Sequence, residues 1–194
     1  MNWGTDIEVW GDTSSIEEER KYSILYSSGY GHGPIDGLFS FGAKSASFSG
    51  VKRILDVGCG NGSGIELLLK NGFEVQGIDI SSVAVEICKK KGLKATQIAI
   101  YDIPSLKDNF DLVWCCDVLE HLPPESIGAS IHCIKTKSER CLFSISTRQS
   151  IAKYNGKGVH LTVRPSEWWK SMLSNCFSIS KTKETIDSVL ISTA

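Results

Sequence analysis

Residues Arg53-Ile54-Leu55-Asp56-Val57 form a short apolar run that stops in Gly58-Cys59-Gly60-Asn61-Gly62-Ser63-Gly64, and apolar side chains return at helical density in Ile65, Leu67, Leu68 and Leu69. This is a strand, a glycine-rich turn and a helix. Phe73 to Ile80 reads as a second strand, after which Ser81 or Ser82 caps a helix carrying Val83, Val85 and Ile87 and ending in Lys89-Lys90-Lys91, a solvated basic end stopped by Gly92. A third strand falls near Lys94 to Ile98, and Pro104 ends regular pairing after Tyr101-Asp102-Ile103.

Phe110 to Cys116 reads as a buried fourth strand, Glu125 to Thr136 as helix, and Cys141 to Ser146 as a fifth strand. Pro165 opens a further helix with Trp168 and Trp169, one of them directed into the core and the other at a cleft or the surface. Two β-like runs, Phe177 to Thr182 and Ser188 to Ser192, suit an antiparallel hairpin. Repeated βα units therefore predict an α/β fold, a doubly wound, mostly parallel Rossmann-like sheet completed by an antiparallel C-terminal hairpin.

Residues 1–50 differ in texture, with three aromatic-rich stretches among glycines and one acidic helix near Ser14 to Tyr26, capped by Ser14 or Ser15. They are expected to form an extension or lid on a domain of residues 51–194. Tyr22, Tyr26, Tyr30 and His32 suit a cover that excludes water from a site, or else a packed edge. A length of 194 residues suits one core.

Net charge −1 and a pI near 6.4 predict no extensive nucleic-acid surface. The first residues lack the basic start and apolar run of a secretory signal, and no apolar run is long enough to span a bilayer, so a cytoplasmic protein without membrane partners is expected. Seven cysteines without paired C-x-x-C knuckles read as reduced, with Cys115 and Cys116 as buried small hydrophobes.

In a doubly wound sheet ligands sit at the carboxyl ends of the strands, where Gly58 and Gly60 would let backbone approach one closely. The spacing G-x-G-x-G-x-G differs from G-x-G-x-x-G because Ser63 stands where the third glycine would fall. Asp56 beside this turn would repel a pyrophosphate and favour a ligand with an ammonium and a sulfonium, as in S-adenosylmethionine. Asp79, ending the second strand, is placed to accept from both ribose hydroxyls, and Ile80 to cover adenine.

Ile54 to Gly62 and Gly77-Ile78-Asp79-Ile80-Ser81 together resemble class I S-adenosylmethionine-dependent methyltransferases over roughly residues 51–147. The resemblance implies methyl transfer and brings Cys59 and Gly60 into the cofactor turn. It also implies that Tyr101-Asp102-Ile103 bracket adenine, Asp102 accepting from its amino group, and that Cys116-Asp117 lie beside the methionine portion.

Asp117-Val118-Leu119-Glu120-His121-Leu122 resembles the text after the fourth strand in small-molecule and glycan-related members. Were it helical, Asp117, Glu120 and His121 would share one face. Glu120 and His121, with His160 after the fifth strand, are candidate ligands for a divalent metal such as magnesium. The pattern is similar to that of magnesium-dependent small-RNA 3′-end 2′-O-methyltransferases and ubiquinone-pathway O-methyltransferases, although Asp117 stands where a longer glutamate is usual. Without a metal, His121 or His160 would serve as general base; His160 equally suits a backbone hydrogen bond. The expected function is O- or N-methylation of a small or sugar-like acceptor. An RNA 3′-terminal 2′-O-methyltransferase and a non-catalytic cofactor-binding regulatory module stay open beside it.

Overall fold

The computed structural model describes residues 13–31, 35–45 and 47–194, with side chains from residue 15 onward. His32 therefore lies outside the described residues. In chain order the strands are β1 (Arg53–Val57), β2 (Glu74–Asp79), β3 (Ala95–Gln97), β4 (Leu112–Cys116), β5 (Cys141–Ser146), β6 (Lys153–Tyr154), β7 (Lys157–Gly158), β8 (Ile179–Glu184) and β9 (Ser188–Thr193). Seven of them form one sheet in the order β3-β2-β1-β4-β5-β9-β8, and β6 and β7 form a separate two-stranded ribbon. Pairing is parallel from β3 through β5 and antiparallel for β9 against both β5 and β8, so the sheet is mostly parallel with an antiparallel C-terminal hairpin.

The helices are α1 (Thr13–Ser27), α2 (Asp36–Lys44), α3 (Ser63–Lys70), α4 (Ser82–Lys90), α5 (Ile127–Lys135) and α6 (Ser166–Ser174). Helix α1 already includes Ser14 and Ser15, so neither is the residue that precedes and caps it. Successive residues of β1 serve opposite faces: Leu55 and Val57 join a cluster with Val113, Phe143 and Ile131, while Ile54 joins one with Leu68, Trp114 and Leu142. Each such fully buried side chain contributes about 1.5–3 kcal/mol. Trp169 is the core tryptophan, and the half-buried Trp168 meets it edge-on at 4.9 Å.

Helix α2, unforeseen in the sequence, buries Leu38 and Phe41 in the second cluster beside Leu142 and Leu190. Packing thus crosses residue 50. Among the described residues no helix is long and apolar enough to cross a membrane, and all seven cysteines are free thiols. Strand order reverses between β1 and β4, where the chain goes outward to β3 and then returns to the other side of β1. The crevice at the carboxyl ends of β1 and β4 is the position where such sheets hold ligands.

Candidate functional site

The turn after β1 is bent by Gly58, whose φ of +69° is left-handed; a Cβ there would lie 2.4 Å from Cγ2 of Val118. The N–H groups of Gly58 and Cys59 donate to the Ile78 carbonyl at 2.8 and 2.9 Å, tying the turn to the end of β2. Asp79 continues that tie, its Oδ2 accepting from Gly60 N at 2.9 Å and its Oδ1 from Ser81 N at 2.8 Å. Ser81 then caps α4 by accepting from Ala84 N at 3.2 Å. Lys91 is not merely solvated: its ammonium donates to the Asn61 carbonyl at 2.9 Å and pairs with Glu66 at 3.3 Å, bracing the far side of the turn.

These elements bound a cavity of about 380 Å³ whose wall includes Gly58, Asp79, Ile80, Tyr101 and Asp117. Cys59, Ile103 and Cys116 are buried outside that wall, Gly60 also lies behind it, and Asp102 is an exposed residue beyond it. The apolar wall near Ile80 comes from Ile98, Ala99 and Ile100, which precede the Tyr101-Asp102-Ile103 stretch expected there. Ile100–Ser105 is a 3₁₀ turn, so it turns Asp102 and Ile103 to different surroundings from Tyr101.

Asp56 also stands behind the cavity rather than in it. Its carboxyl is buried against Gly64, its Oδ2 has no hydrogen-bond partner, and burial pushes its pKa well up, with Cys88 and Asp79 adding to the shift. The negative character of the wall comes instead from Glu18, Asp79 and Asp117, against one basic side chain, Arg148, among the described wall residues. That balance favours a cationic ligand.

Residues Leu119–His121 form one 3₁₀ turn, not an α-helix. Pro123 disfavours helical backbone at Leu122, which is extended at φ −87°, ψ 150°. Asp117, at φ 54°, precedes the turn and accepts at 2.9 Å from the Ser144 hydroxyl, so it does not share a helical face with Glu120 and His121. The turn nevertheless brings Glu120, His121 and His160 together, with one ligand-capable atom from each lying within 4.8 Å of the others.

Glu120 is fully buried, with Oε1 accepting from Ser146 N at 2.9 Å and Oε2 unpartnered. Its backbone carbonyl accepts from Leu161 N and Thr162 N, both at 2.9 Å, which carries the strand of chain bearing His160 to the site. Burial, and then Asp117, pushes the Glu120 pKa well above the usual carboxylate range. His121 Nδ1 lies 3.2 Å from the Val159 carbonyl and His160 Nδ1 lies 2.8 Å from that of Arg148. A carbonyl only accepts, so each Nδ1 donates there, and in the neutral imidazole this leaves Nε2 as the acceptor. The two rings meet edge-on at 4.8 Å.

Helix α1 contributes Glu18, Tyr22 and Tyr26 to the same wall. Tyr22 stands edge-on to His121 at 5.7 Å with its hydroxyl buried and unpartnered, and Tyr26 meets Tyr30 at 5.6 Å. Burial raises the Tyr30 phenol to about 12, so it is a neutral donor at physiological pH. The wall formed by Ser146, Arg148, Ser150 and Ile151 escaped the sequence reading. Its signal was the Asn155-Gly156 pair, both residues left-handed at φ 50° and 78°, which turns β6 into β7.

The family described as "Methyltransferase domain" matches residues 54–136. Ubiquinone biosynthesis O-methyltransferase of Pasteurella multocida (strain Pm70) is 33% identical, the match covering 46% of this chain and 44% of that protein. The protein of the same description from Chromobacterium violaceum is 30% identical, over 67% of this chain and 56% of its own length. The chain spans about half the length of the curated relatives it matches. Among solved structures, magnesium protoporphyrin IX methyltransferase from Synechocystis PCC 6803 with bound SAM superposes with a TM-score of 0.67 at 19% identity, covering 92% of this chain and 95% of that one. A SAM dependent methyltransferase from Archaeoglobus fulgidus gives 0.64 at 18% identity, over 94% and 100%. Strand order and the glycine turn joined to the acidic end of the second strand give this chain the Rossmann-like fold of these S-adenosylmethionine-dependent methyltransferases, and its residues 54–136 carry the match to the methyltransferase-domain family.

Proposed function

We propose that the protein transfers a methyl group from S-adenosylmethionine to a hydroxyl, or an amine, of a small or sugar-like acceptor. The observation that carries this reading is the convergence of Glu120, His121 and His160 on the cavity that also holds Asp79. The cofactor supplies an electrophilic methyl on a sulfonium. Asp79 stands at the end of β2 on the cavity wall, where its carboxylate would accept from ribose hydroxyls. Ile80, Ile98 and Tyr101 give the base an apolar slot, and Asp117 and Glu18 favour the positive end.

On the acceptor side the work is placement and proton removal. As the new O–C or N–C bond forms and the S–C bond breaks, the acceptor proton passes to a histidine Nε2. His160, only half-buried, can pass it on to water, while His121 is locked against Val159 and positions the acceptor. Glu120, His121 and His160 also fit a divalent cation such as magnesium, since a buried carboxyl oxygen without a partner is what a cation would satisfy. Such an ion would polarise the acceptor hydroxyl and ease its deprotonation.

The test is transfer of labelled methyl to a panel of hydroxyl, amine and sugar acceptors, with and without chelator, for the parent and for His160→Ala, His121→Ala and Glu120→Gln. Loss of a general base is expected to lower kcat by about 10²–10⁴. Tight S-adenosylhomocysteine binding with no transfer to any acceptor would sink the catalytic reading. Manganese titration followed by electron paramagnetic resonance tests the cation apart from turnover, and no binding would remove it.

A further inference from the structure

From Thr147 to Ser166 the chain carries Arg148, Lys153, Lys157 and Arg164 and no aspartate or glutamate, within a protein whose net charge is −1. Composition over the whole chain hides this segment. The fold places it after β5, where Arg148, Ser150 and Ile151 form one side of the cavity and the β6–β7 ribbon follows directly. Lys153, Lys157 and Arg164 are exposed, and among the described residues none of the three is in a salt bridge.

Arg148 is held at two points, one at the candidate site and one at the turn between β8 and β9. Its carbonyl accepts the His160 Nδ1 proton at 2.8 Å, and its Nε meets Asp187 Oδ2 at 3.3 Å. A guanidinium has five N–H donors in a fixed fork, so an Nε contact leaves the two terminal nitrogens for a ligand. The ribbon is tied to the same wall, because Val159 N donates to the Ala152 carbonyl at 3.3 Å while the Val159 carbonyl accepts from His121. Arg148 therefore stands beside His160 on the cavity wall, and Lys153 and Lys157 follow on the ribbon that continues from Ser150, Ile151 and Ala152 of that wall.

We propose that the acceptor carries an anionic oxygen group, a carboxylate or a phosphate, which Arg148 holds at the cavity wall while Lys153 and Lys157 attract it. This rests on the methyltransferase reading above and adds the charge class of the substrate. An anion gripped there would leave the neutral, hydroxyl-bearing part of the acceptor next to His160 and His121. Because the lysines are exposed, their share of the attraction falls with ionic strength over a Debye length of about 10 Å at 0.1 M salt.

Two matched pairs of probes with neighbouring hydroxyls test it on the full chain with saturating cofactor. One pair is 3,4-dihydroxybenzoate and its methyl ester; the other is methyl riboside 5-phosphate and methyl riboside. The quantity read is the ratio of kcat/KM, anionic over neutral, in which a general loss of activity cancels. The anionic member is expected to win by about tenfold in at least one pair, and the pair that responds tells carboxylate from phosphate. Arg148→Gln should bring the ratio near one, Lys153→Gln with Lys157→Gln should lower it and flatten its salt dependence, and Lys107→Gln, at the opposite end of the sheet, should leave it. Ratios near one in both pairs, or ratios unchanged in Arg148→Gln, would overturn the proposal. The same ratios are read as dissociation constants by calorimetry with S-adenosylhomocysteine bound. Anion-selective binding without turnover would count against methyl transfer and for this inference; turnover without selectivity would do the reverse.

Discussion

Asp56 and Asp79 end neighbouring strands and face different surroundings. Both oxygens of Asp79 accept backbone N–H groups, whereas Asp56 is buried with Oδ2 unpartnered, and burial raises its pKa above the ordinary 3.8. A raised carboxyl pKa means that the folded state holds the proton more tightly than the unfolded chain. Its stabilising contribution is present below about the unfolded value and is lost as pH rises from there toward the folded pKa, at a slope of at most about 1.4 kcal/mol per pH unit. Asp56→Asn has no proton to lose. Its melting temperature relative to the parent is therefore expected to rise between pH 4 and pH 8, as scanning calorimetry would read; parallel pH profiles would show that Asp56 is ionised in the fold.

At the scale of elements, α1 is fastened over the cavity by a small polar latch. Glu19 Oε1 accepts from the Ser82 hydroxyl at 2.8 Å, from Ser82 N at 3.3 Å and from Ser23 Oγ at 2.8 Å, and Ser23 Oγ lies 2.9 Å from Ser81 Oγ. The latch thus grips the residues just after Asp79. The Ser82 hydrogen bond leads the lowering of the Glu19 pKa below 4.5, so the ionised latch holds at neutral pH and is lost only as pH falls through that lowered value. Glu19→Ala should speed amide exchange over residues 13–27 by roughly fivefold, the equivalent of about 1 kcal/mol of net hydrogen bonding, while α4 keeps its Ser81 cap. Unchanged exchange by mass spectrometry would show that Tyr22 and Tyr26 packing alone seats α1.

Across the whole molecule, the core draws on both sides of the change in sequence texture near residue 50. Leu38 is nearly fully buried among residues of β5 and β9 as well as β1. Leu38→Ala is expected to cost about 2–5 kcal/mol, the range for truncating a buried leucine, in a single cooperative transition followed by denaturant. A second transition appearing on its own would mean that α2 folds separately from the sheet.

The parallel strands, their order of appearance, the glycine turn, Asp79 and the C-terminal hairpin were legible in the sequence, because each rests on local chemistry: apolar runs of strand length, glycine at left-handed backbone, a serine cap, a break at proline. Helix α2 was not, since Asp36-Gly37-Leu38-Phe39-Ser40-Phe41-Gly42 carries two poor helix formers and holds its shape by burying Leu38 and Phe41 against strands more than a hundred residues away. Glu120, His121 and His160 were nameable from their types, but the helix expected to align them is a 3₁₀ turn, and hydrogen bonds from Leu161 and Thr162 to the Glu120 carbonyl unite them instead. Tertiary structure alone decided that Asp56 lies behind the glycine turn, that α1 supplies acidic and phenolic groups to the wall, and that Arg148 stands beside His160. Charge and donor type are properties of a residue; burial and neighbours depend on which distant segments the sheet brings together, and these set what each residue can do.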